Sequence, residues 1–406
     1  MRRLHLDSMR VARRGLSREI NRRIALDLVR RRQPLSRADL ARLMGVRRGA
    51  VSVIVDDLFA EGLLFEGAKG ETARGRKPKF LYVDSRRRSV IAVDVRPTRT
   101  SLMVTDLLAN PVVGASGFPT EADPKRLVRA LAGRISRLVH EHHDLGRLEG
   151  VGVVVPGMVD RDGERVLYAP RLGWRDVPLG EMLAAETGLT VHIENSGRAC
   201  ALAQVWSPRD PIGPRGDIVV VSVSDGLGIG VIVNGELMRG RHNVAGEFGH
   251  TPLNIDGPPC ACGALGCWEA YVSNLATVAR YFGREISPQN PIPTEIAAFS
   301  MDDLIARARG GDGKAIAALH ATAHYLGLGF ASLVNVIDPV RIYVGGEIVA
   351  AWDLVEVTVR QALGSRVLAP ASSDVEIVPV PIPDYPRLKG AAALVAARVF
   401  AAPQES

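Results

Sequence analysis

The sequence predicts an α/β protein in two parts, a small basic head over residues 1–88 and a larger body over residues 89–406. Three observations predict it. Charge is uneven along the 406 residues: the first 88 carry 23 Lys and Arg against 10 Asp and Glu, the rest 28 against 34. The apolar pattern also changes, from helical spacing in the head to short apolar runs alternating with helical stretches after Val90. Glycines gather at the ends of those runs, as they do where α/β strands meet a ligand. With 47% apolar residues, a chain of this length can bury two or three cores.

Composition narrows the classes further. No run of about 18 apolar residues is present, so no membrane span is expected. The opening "MRRLHLDSMRVARRG" is basic but lacks the apolar stretch and cleavage site of a secretory signal. A reducing, cytoplasmic location is expected, where clustered cysteines bind metal more often than they pair. Cys200, alone, reads as a small buried residue.

Within the head, "REINRRIALDLVRRR" places Ile20, Ile24 and Leu28 at i, i+4 and i+8, an apolar stripe on an otherwise basic helix. Ser36 follows a proline stop and is suited to cap a second helix, which Gly45 ends. A third helix runs through "RRGAVSVIVDDLFAEG" to Gly62. Ala41 permits close helix approach, and Val51 and Ile54 face the helix before; Leu40, Met44 and Val46 complete a helix-turn-helix pattern. Arg47, Arg48 and Ser52 lie near the start of the third helix, the part that enters a DNA major groove, where arginine reads guanine edges. The strands "LLFE" and "KFLYVD" flank "GAKGETARGRKP", a wing whose Arg74, Arg76 and Lys77 suit phosphates or a narrow minor groove. A basic head on a mildly acidic body points to double-stranded DNA as a partner.

In the body, "VIAVDV" and "SLMVTDL" read as a hairpin, and "GVGVVVPG", "DIVVVSVS" and "VRIYVGG" as buried strands, with helices over 125–143 and 313–336. "NVAGEFGHTPL" followed by "CACGALGCWEAYVS" resembles the signature of the ROK family of repressors, open reading frames and sugar kinases. "PGMVD", "ENSGRACALAQ", "GLGIGVIVNGEL" and "YVGGEI" fall in the family's order, so the resemblance covers residues 89–400. The head and the wing's "GRKP" resemble the family's transcription-factor branch. The resemblance implies an actin-like (ribonuclease H-like) fold of two lobes with a sugar in the cleft.

Cys260, Cys262 and Cys267 lie within eight residues, with His250 ten residues before the first. Such a set suits a closed, structural zinc site, one ion per chain, with no position left for water. The family binds zinc through a His and three Cys at the matching positions. Family sugar contacts map to Asn195, Glu247, His250 and Glu269. His250 then has one ring nitrogen for the metal and the other for a hydroxyl.

Three departures from the kinase pattern imply that phosphoryl transfer is lost. Family kinases carry Asn-Asp where this chain has Asn195-Ser196, and a hydroxyl is no general base near neutral pH. Their first phosphate loop, Asp-x-Gly-Gly-Thr, reads Asp94-Val95-Arg96-Pro97-Thr98 here; Pro97 has no N–H to donate. Their second begins Gly-Thr-Gly, against Ser224-Asp225-Gly226. Arg171 stands where those kinases often carry a sugar-contacting Asn. The expectation is a sugar-responsive transcriptional regulator, a repressor acting as a homodimer or higher homo-oligomer on operator DNA. A sugar kinase fused to a DNA-binding head and a thiol-based redox or metal sensor are the rival readings.

Overall fold

The structure is a computed structural model and describes residues 16–69, 79–206, 216–288, 290–381 and 384–400. Arg74, Arg76 and Lys77 lie outside the described residues.

The head comprises α1 (Leu16–Arg32), β1 (Leu35–Ser36), α2 (Arg37–Met44), α3 (Arg48–Ala60), β2 (Leu64–Lys69) and β3 (Lys79–Val83). Ser36 caps α2: its Oγ accepts from the Asp39 N–H at 3.1 Å while the Asp39 carboxylate accepts from the Ser36 N–H at 3.2 Å. Gly45 closes the helix at φ 66°, a left-handed conformation that favours glycine. Val51, Ile54, Val55 and Leu58 of α3 are buried with Leu40 and Ala41 of α2. β3 pairs antiparallel with β2, giving the expected wing base, and also with the two-residue β1.

The α1 stripe requires correction. Ile20 and Ile24 are each 44% exposed, and the buried face is Ala25, Leu26 and Val29. The reason is tertiary: α1 packs on α2, α3 and β3 and also on the C-terminal helix of the body, so its burial follows several neighbours rather than one stripe.

The body holds two lobes of one design. The first has β4 (Arg88–Val95), β5 (Arg99–Asp106), β6 (Pro111–Pro119), α4 (Pro124–Glu141), β7 (Arg147–Val155), a side sheet of β8 (Met158–Val159), β9 (Val166–Ala169) and β10 (Trp174–Val177), then α5 (Leu179–Thr187) and β11 (Val191–Asn195). Its main sheet runs β11-β7-β4-β5-β6, with β4, β5 and β6 antiparallel and β7 and β11 parallel to β4. After α6 (Ser196–Trp206), the second lobe contains β12 (Ile218–Val223), β13 (Leu227–Val233), β14 (Glu236–Leu237), α7 (Trp268–Val272), α8 (Asn274–Tyr281), α9 (Thr294–Ala297), α10 (Met301–Arg309), α11 (Gly313–Ile337), β15 (Arg341–Gly346), α12 (Trp352–Gly364) and β16 (Glu376–Pro379). Its sheet, β14-β13-β12-β15-β16, repeats the first in order and direction. That duplication is the actin-like α/β fold.

All six residues of β12 are buried, as expected for a central strand covered on both faces. The last helix, α13 (Pro386–Phe400), returns to the first sheet and lies against α6. Glycine makes this contact possible, since a Cβ on Gly390 would sit 2.0 Å from the Ala199 carbonyl oxygen. Among the described residues no helix is long and apolar enough to cross a membrane.

Candidate functional site

Strand ends from both lobes converge on one cleft. Asp94 lies near the end of β4, Asn195 ends β11, Ser224-Asp225-Gly226 turns β12 into β13, and Glu347 follows β15. Ligands of open α/β sheets bind at such carboxyl ends.

Beside the cleft stands the cysteine loop. The ligand atoms of His250, Cys260, Cys262 and Cys267 all lie within 4.8 Å of one another. Cys262 Sγ is 3.7 Å from Cys267 Sγ, and Cys260 Sγ is 3.6 Å from His250 Nδ1. A tetrahedral ion with metal–sulfur bonds of about 2.3 Å separates its sulfurs by about 3.8 Å, so this donor set could hold a metal ion. Backbone bridges shape the loop, Pro252 to Cys267 and Pro259 to Leu265. Gly266 is obligatory there, because a Cβ would fall 1.5 Å from the Asn254 carbonyl oxygen. Burial raises both the Cys260 and the Cys267 thiols, Cys267 to about 11, and a bound cation would reverse that by favouring thiolate.

Three of the four expected sugar-contacting residues, Glu247, His250 and Glu269, lie together beside the cysteines. His250 turns Nδ1 to the cysteines and places Nε2 4.0 Å from Glu247 Oε2, so its two nitrogens face the two expected functions. Burial pushes the Glu247 carboxyl above the usual carboxylate range, against the pull of His250 and Arg198. Glu269 is buried, with Oε2 accepting from the Leu227 N–H at 2.9 Å and Oε1 from Arg171 Nη2 at 3.0 Å. Asn195 is already committed: Oδ1 accepts from the Gly197 and Arg198 N–H groups at the start of α6, and Nδ2 donates to the Gly157 carbonyl at 2.9 Å. It anchors α6 and the "PGM" turn.

A buried network under this site escaped sequence reasoning. Glu194 accepts from Arg198 Nε at 2.7 Å and from Arg239 Nη1 at 2.6 Å. Arg198 Nη1 donates to the Asn243 carbonyl, and Asn243 Nδ2 donates to the Val159 and Asp160 carbonyls of the other lobe. Glu194 lies in β11 and Arg198 in α6, so no single-element periodicity marks the pair.

Arg96 joins the lobes across the cleft. Its Nη1 lies 2.9 Å from Glu347 Oε1 and its Nε 3.3 Å from Asp94 Oδ2. Asn274 Nδ2 donates to Glu347 Oε2 at 2.9 Å, and Arg387 of α13 pairs with Asp94 at 2.9 Å. Burial opposes the Arg96 charge, yet Asp94 and Glu347 outweigh it and raise its pKa. A guanidinium therefore lies where the resemblance assigns nucleotide phosphate.

In the head, Arg47 caps α3 without a side-chain bond, and Arg47 and Arg48 are exposed. Neither makes an ion pair among the described residues. Ser52 is half-buried and its Oγ donates to the Arg48 carbonyl at 3.2 Å. Arg37, which the sequence left unremarked, pairs with Asp56 of α3 at 2.9 Å and Glu66 of β2 at 3.3 Å, tying β2 to α3.

Comparison with known proteins agrees with this geometry. The chain is 28% identical over 379 residues to a xylose repressor of Bacillus spizizenii, covering 91% of this chain and 93% of that one. The crystal structure of a ROK family transcriptional regulator, a homologue of the Escherichia coli Mlc protein, superposes with a TM-score of 0.76 at 24% identity, over 95% of this chain and 97% of that one. A Streptomyces griseus ROK family glucokinase, solved with glucose and AMPPNP, matches with a TM-score of 0.66 at 27% identity, but over 75% of this chain and 98% of its own. The kinase thus matches about three quarters of this chain, whereas the regulators match more than nine tenths of it. The ROK family pattern matches residues 90–398, and the chain belongs to the ROK family.

Proposed function

We propose that the protein is a sugar-responsive, DNA-binding transcriptional regulator, a repressor of carbohydrate-metabolism genes in the cytoplasm, whose kinase-like body binds a sugar and leaves it unchanged. The observation that carries the reading is the Arg96 guanidinium, paired with Asp94 and Glu347 in the phosphate end of the cleft, in a chain that also carries the head. Residues 1–88 bind operator DNA: the N-terminal turn of α3 offers Arg47, Arg48 and Ser52 to the major groove, and Arg74, Arg76 and Lys77 meet phosphates or the minor groove. Residues 89–406 sense the effector, and a twofold dimer of such chains matches a palindromic site.

Glu247 and His250 Nε2 receive sugar hydroxyls, Glu269 orients Arg171, and Asn195 holds the floor of the site by capping α6. His250, Cys260, Cys262 and Cys267 would hold a structural zinc ion, which supplies a cross-link between the Glu247 loop and the start of α7. Ser196 accepts no proton from a hydroxyl near neutral pH, so no base activates an attacking oxygen. Sugar bound between the lobes favours one lobe spacing over another, and the head, fixed to the body through α1, follows.

Two assays with one sugar panel test this: operator-shift affinity and coupled ADP release across hexoses, pentoses and amino sugars. An operator response without turnover is expected, and Glu247→Ala abolishes it while DNA binding stays near wild type. Sugar-dependent ADP release at kinase rates would overturn the reading.

A further inference from the structure

The residue at Arg171 bears on which sugar the cleft accepts. Glu269, taken alone, offers carboxylate oxygens to sugar hydroxyls, yet both its oxygens are in use. Oε2 accepts from Leu227 N–H within its own lobe, and Oε1 accepts a charge-assisted bond from Arg171, which reaches across from the turn after β9. Arg171 thus adds guanidinium hydrogens beside the Glu269 carboxylate. Arg171 Nε is buried and has no hydrogen-bond partner. Gly226 faces this pair, since a Cβ there would sit 2.6 Å from Glu269 Oε2 and 3.5 Å from Arg171 Nε.

Two more buried arginines, beneath the cleft, also leave a donor unpaired. Arg198 is 1% exposed and leaves Nη2 without a partner, and Arg387, 8% exposed, does the same beyond its pairing with Asp94. Buried donors are rarely left unpaired in a folded protein, and an acceptor-rich ligand would satisfy donors of this kind. A planar guanidinium already held by one carboxylate keeps its remaining N–H groups in a fixed fork, which matches a second carboxylate or a phosphate.

We infer that Arg171 is a specificity-determining residue that selects a sugar carrying an anionic group, a carboxylate or a phosphate ester, over the neutral sugar. The inference rests on the sugar-site reading proposed above. Arg171 keeps Glu269 in place with Nη2 and turns its unsatisfied N–H toward the ligand's anion. An uncharged hydroxyl there makes a weaker bond.

Calorimetry and thermal shift on the full-length protein test this. The probes are glucose, galactose, xylose and N-acetylglucosamine, the phosphate esters of each, glucuronate and galacturonate, and inorganic phosphate. One acidic sugar should bind at least about tenfold more tightly than its neutral parent, and more weakly as salt rises. The phosphate and uronate arms identify which anion is recognised. Arg171→Asn should remove that preference, and Arg171→Lys, which keeps the charge without the fork, should retain part of it. The thermal melt of each ligand-free variant verifies folding. A neutral sugar binding as tightly as its acidic forms, a preference unchanged in Arg171→Asn, or inorganic phosphate binding as tightly as the sugar phosphate would each overturn the inference and leave the sugar reading standing. Failure of every sugar, neutral or acidic, would overturn both.

Discussion

Arg30 lies with its guanidinium carbon 4.1 Å from the centre of the Trp206 ring, and its Nη1 donates to the Trp206 carbonyl at 3.0 Å. Arg30 belongs to α1 of the head; Trp206 is the last residue of the eleven-residue α6. The other end of α6 is capped by Asn195 in the cleft. One short, rigid helix thus connects the candidate sugar site to the head. A cation on the final carbonyl also complements the helix dipole. Burial lowers the Arg30 pKa, opposed by Asp27, which lies 2.8 Å away.

Arg30→Met tests whether α6 carries the signal. The substitution keeps much of the apolar stem but removes the stacked cation and leaves the Trp206 carbonyl without its donor. Stability should fall by about 1–3 kcal/mol in denaturant titration. Sugar and operator should each still bind, while the factor by which one alters the affinity of the other shrinks toward one. Linkage makes that factor identical in both directions, so it can be measured from either ligand. An unchanged factor would place the coupling elsewhere.

Local chemistry made the head's turns and the cysteine loop readable from the sequence. Ser36, Gly45 and the closely spaced Cys260, Cys262 and Cys267 act on partners a few residues away, so spacing alone constrains them. The α1 stripe misled because Ala25, Leu26 and Val29 are buried in a core shared by head and body, and periodicity cannot say that a helix has several neighbours. The cleft was half legible for the same reason. Arg96 and Arg171 stood out as departures from the kinase pattern, but their partners Glu347 and Glu269 lie 251 and 98 residues away. Only the duplicated fold brings them together. Asn195 was expected on the sugar, and the hydrogen bonds show it capping α6, a role its place at the strand–helix junction could have suggested.

Elemental analysis of carefully prepared protein should find one zinc per chain. Cys262→Ser should lose it, because a neutral hydroxyl is a poor substitute for thiolate as a zinc ligand. Amide hydrogen exchange should then rise in residues 243–271, whose backbone is pinned by Pro252–Cys267 and Pro259–Leu265, and stay unchanged in α2 and α3. Wild-type protein without metal would sink this prediction outright.

DNA affinity should fall steeply with salt, since each Lys or Arg on a phosphate releases counterions. Arg48→Ala should reduce discrimination between operator and random DNA by about 1–3 kcal/mol if it reads a guanine edge. Arg76→Ala should weaken both DNAs alike and lower the salt slope by about one unit. Equal losses on the two DNAs for Arg48→Ala would remove its base-reading role and leave it a phosphate contact.

Ser196→Asp restores the carboxylate that the family's kinases use, and it should still yield no sugar-dependent ADP release above background. A base is only one requirement, because the phosphates also need backbone donors and room. Pro97 has no N–H to give. Arg96 remains bonded to Asp94 and Glu347 across the lobes, and a guanidinium stays charged at every assay pH. Asp225 adds a negative charge at the second loop. A nucleotide would have to break the Arg96 pairs, enter beside three carboxylates and find fewer donors than in a kinase. Removing the obstruction with Arg96→Gly in the same chain leaves Pro97 and Asp225 in place, so the double variant should gain little. Sugar affinity measured alongside should persist in both variants, which separates lost chemistry from lost binding. Robust turnover by Ser196→Asp alone would mean that the phosphate end of the cleft is intact and that the regulator is one residue from an enzyme.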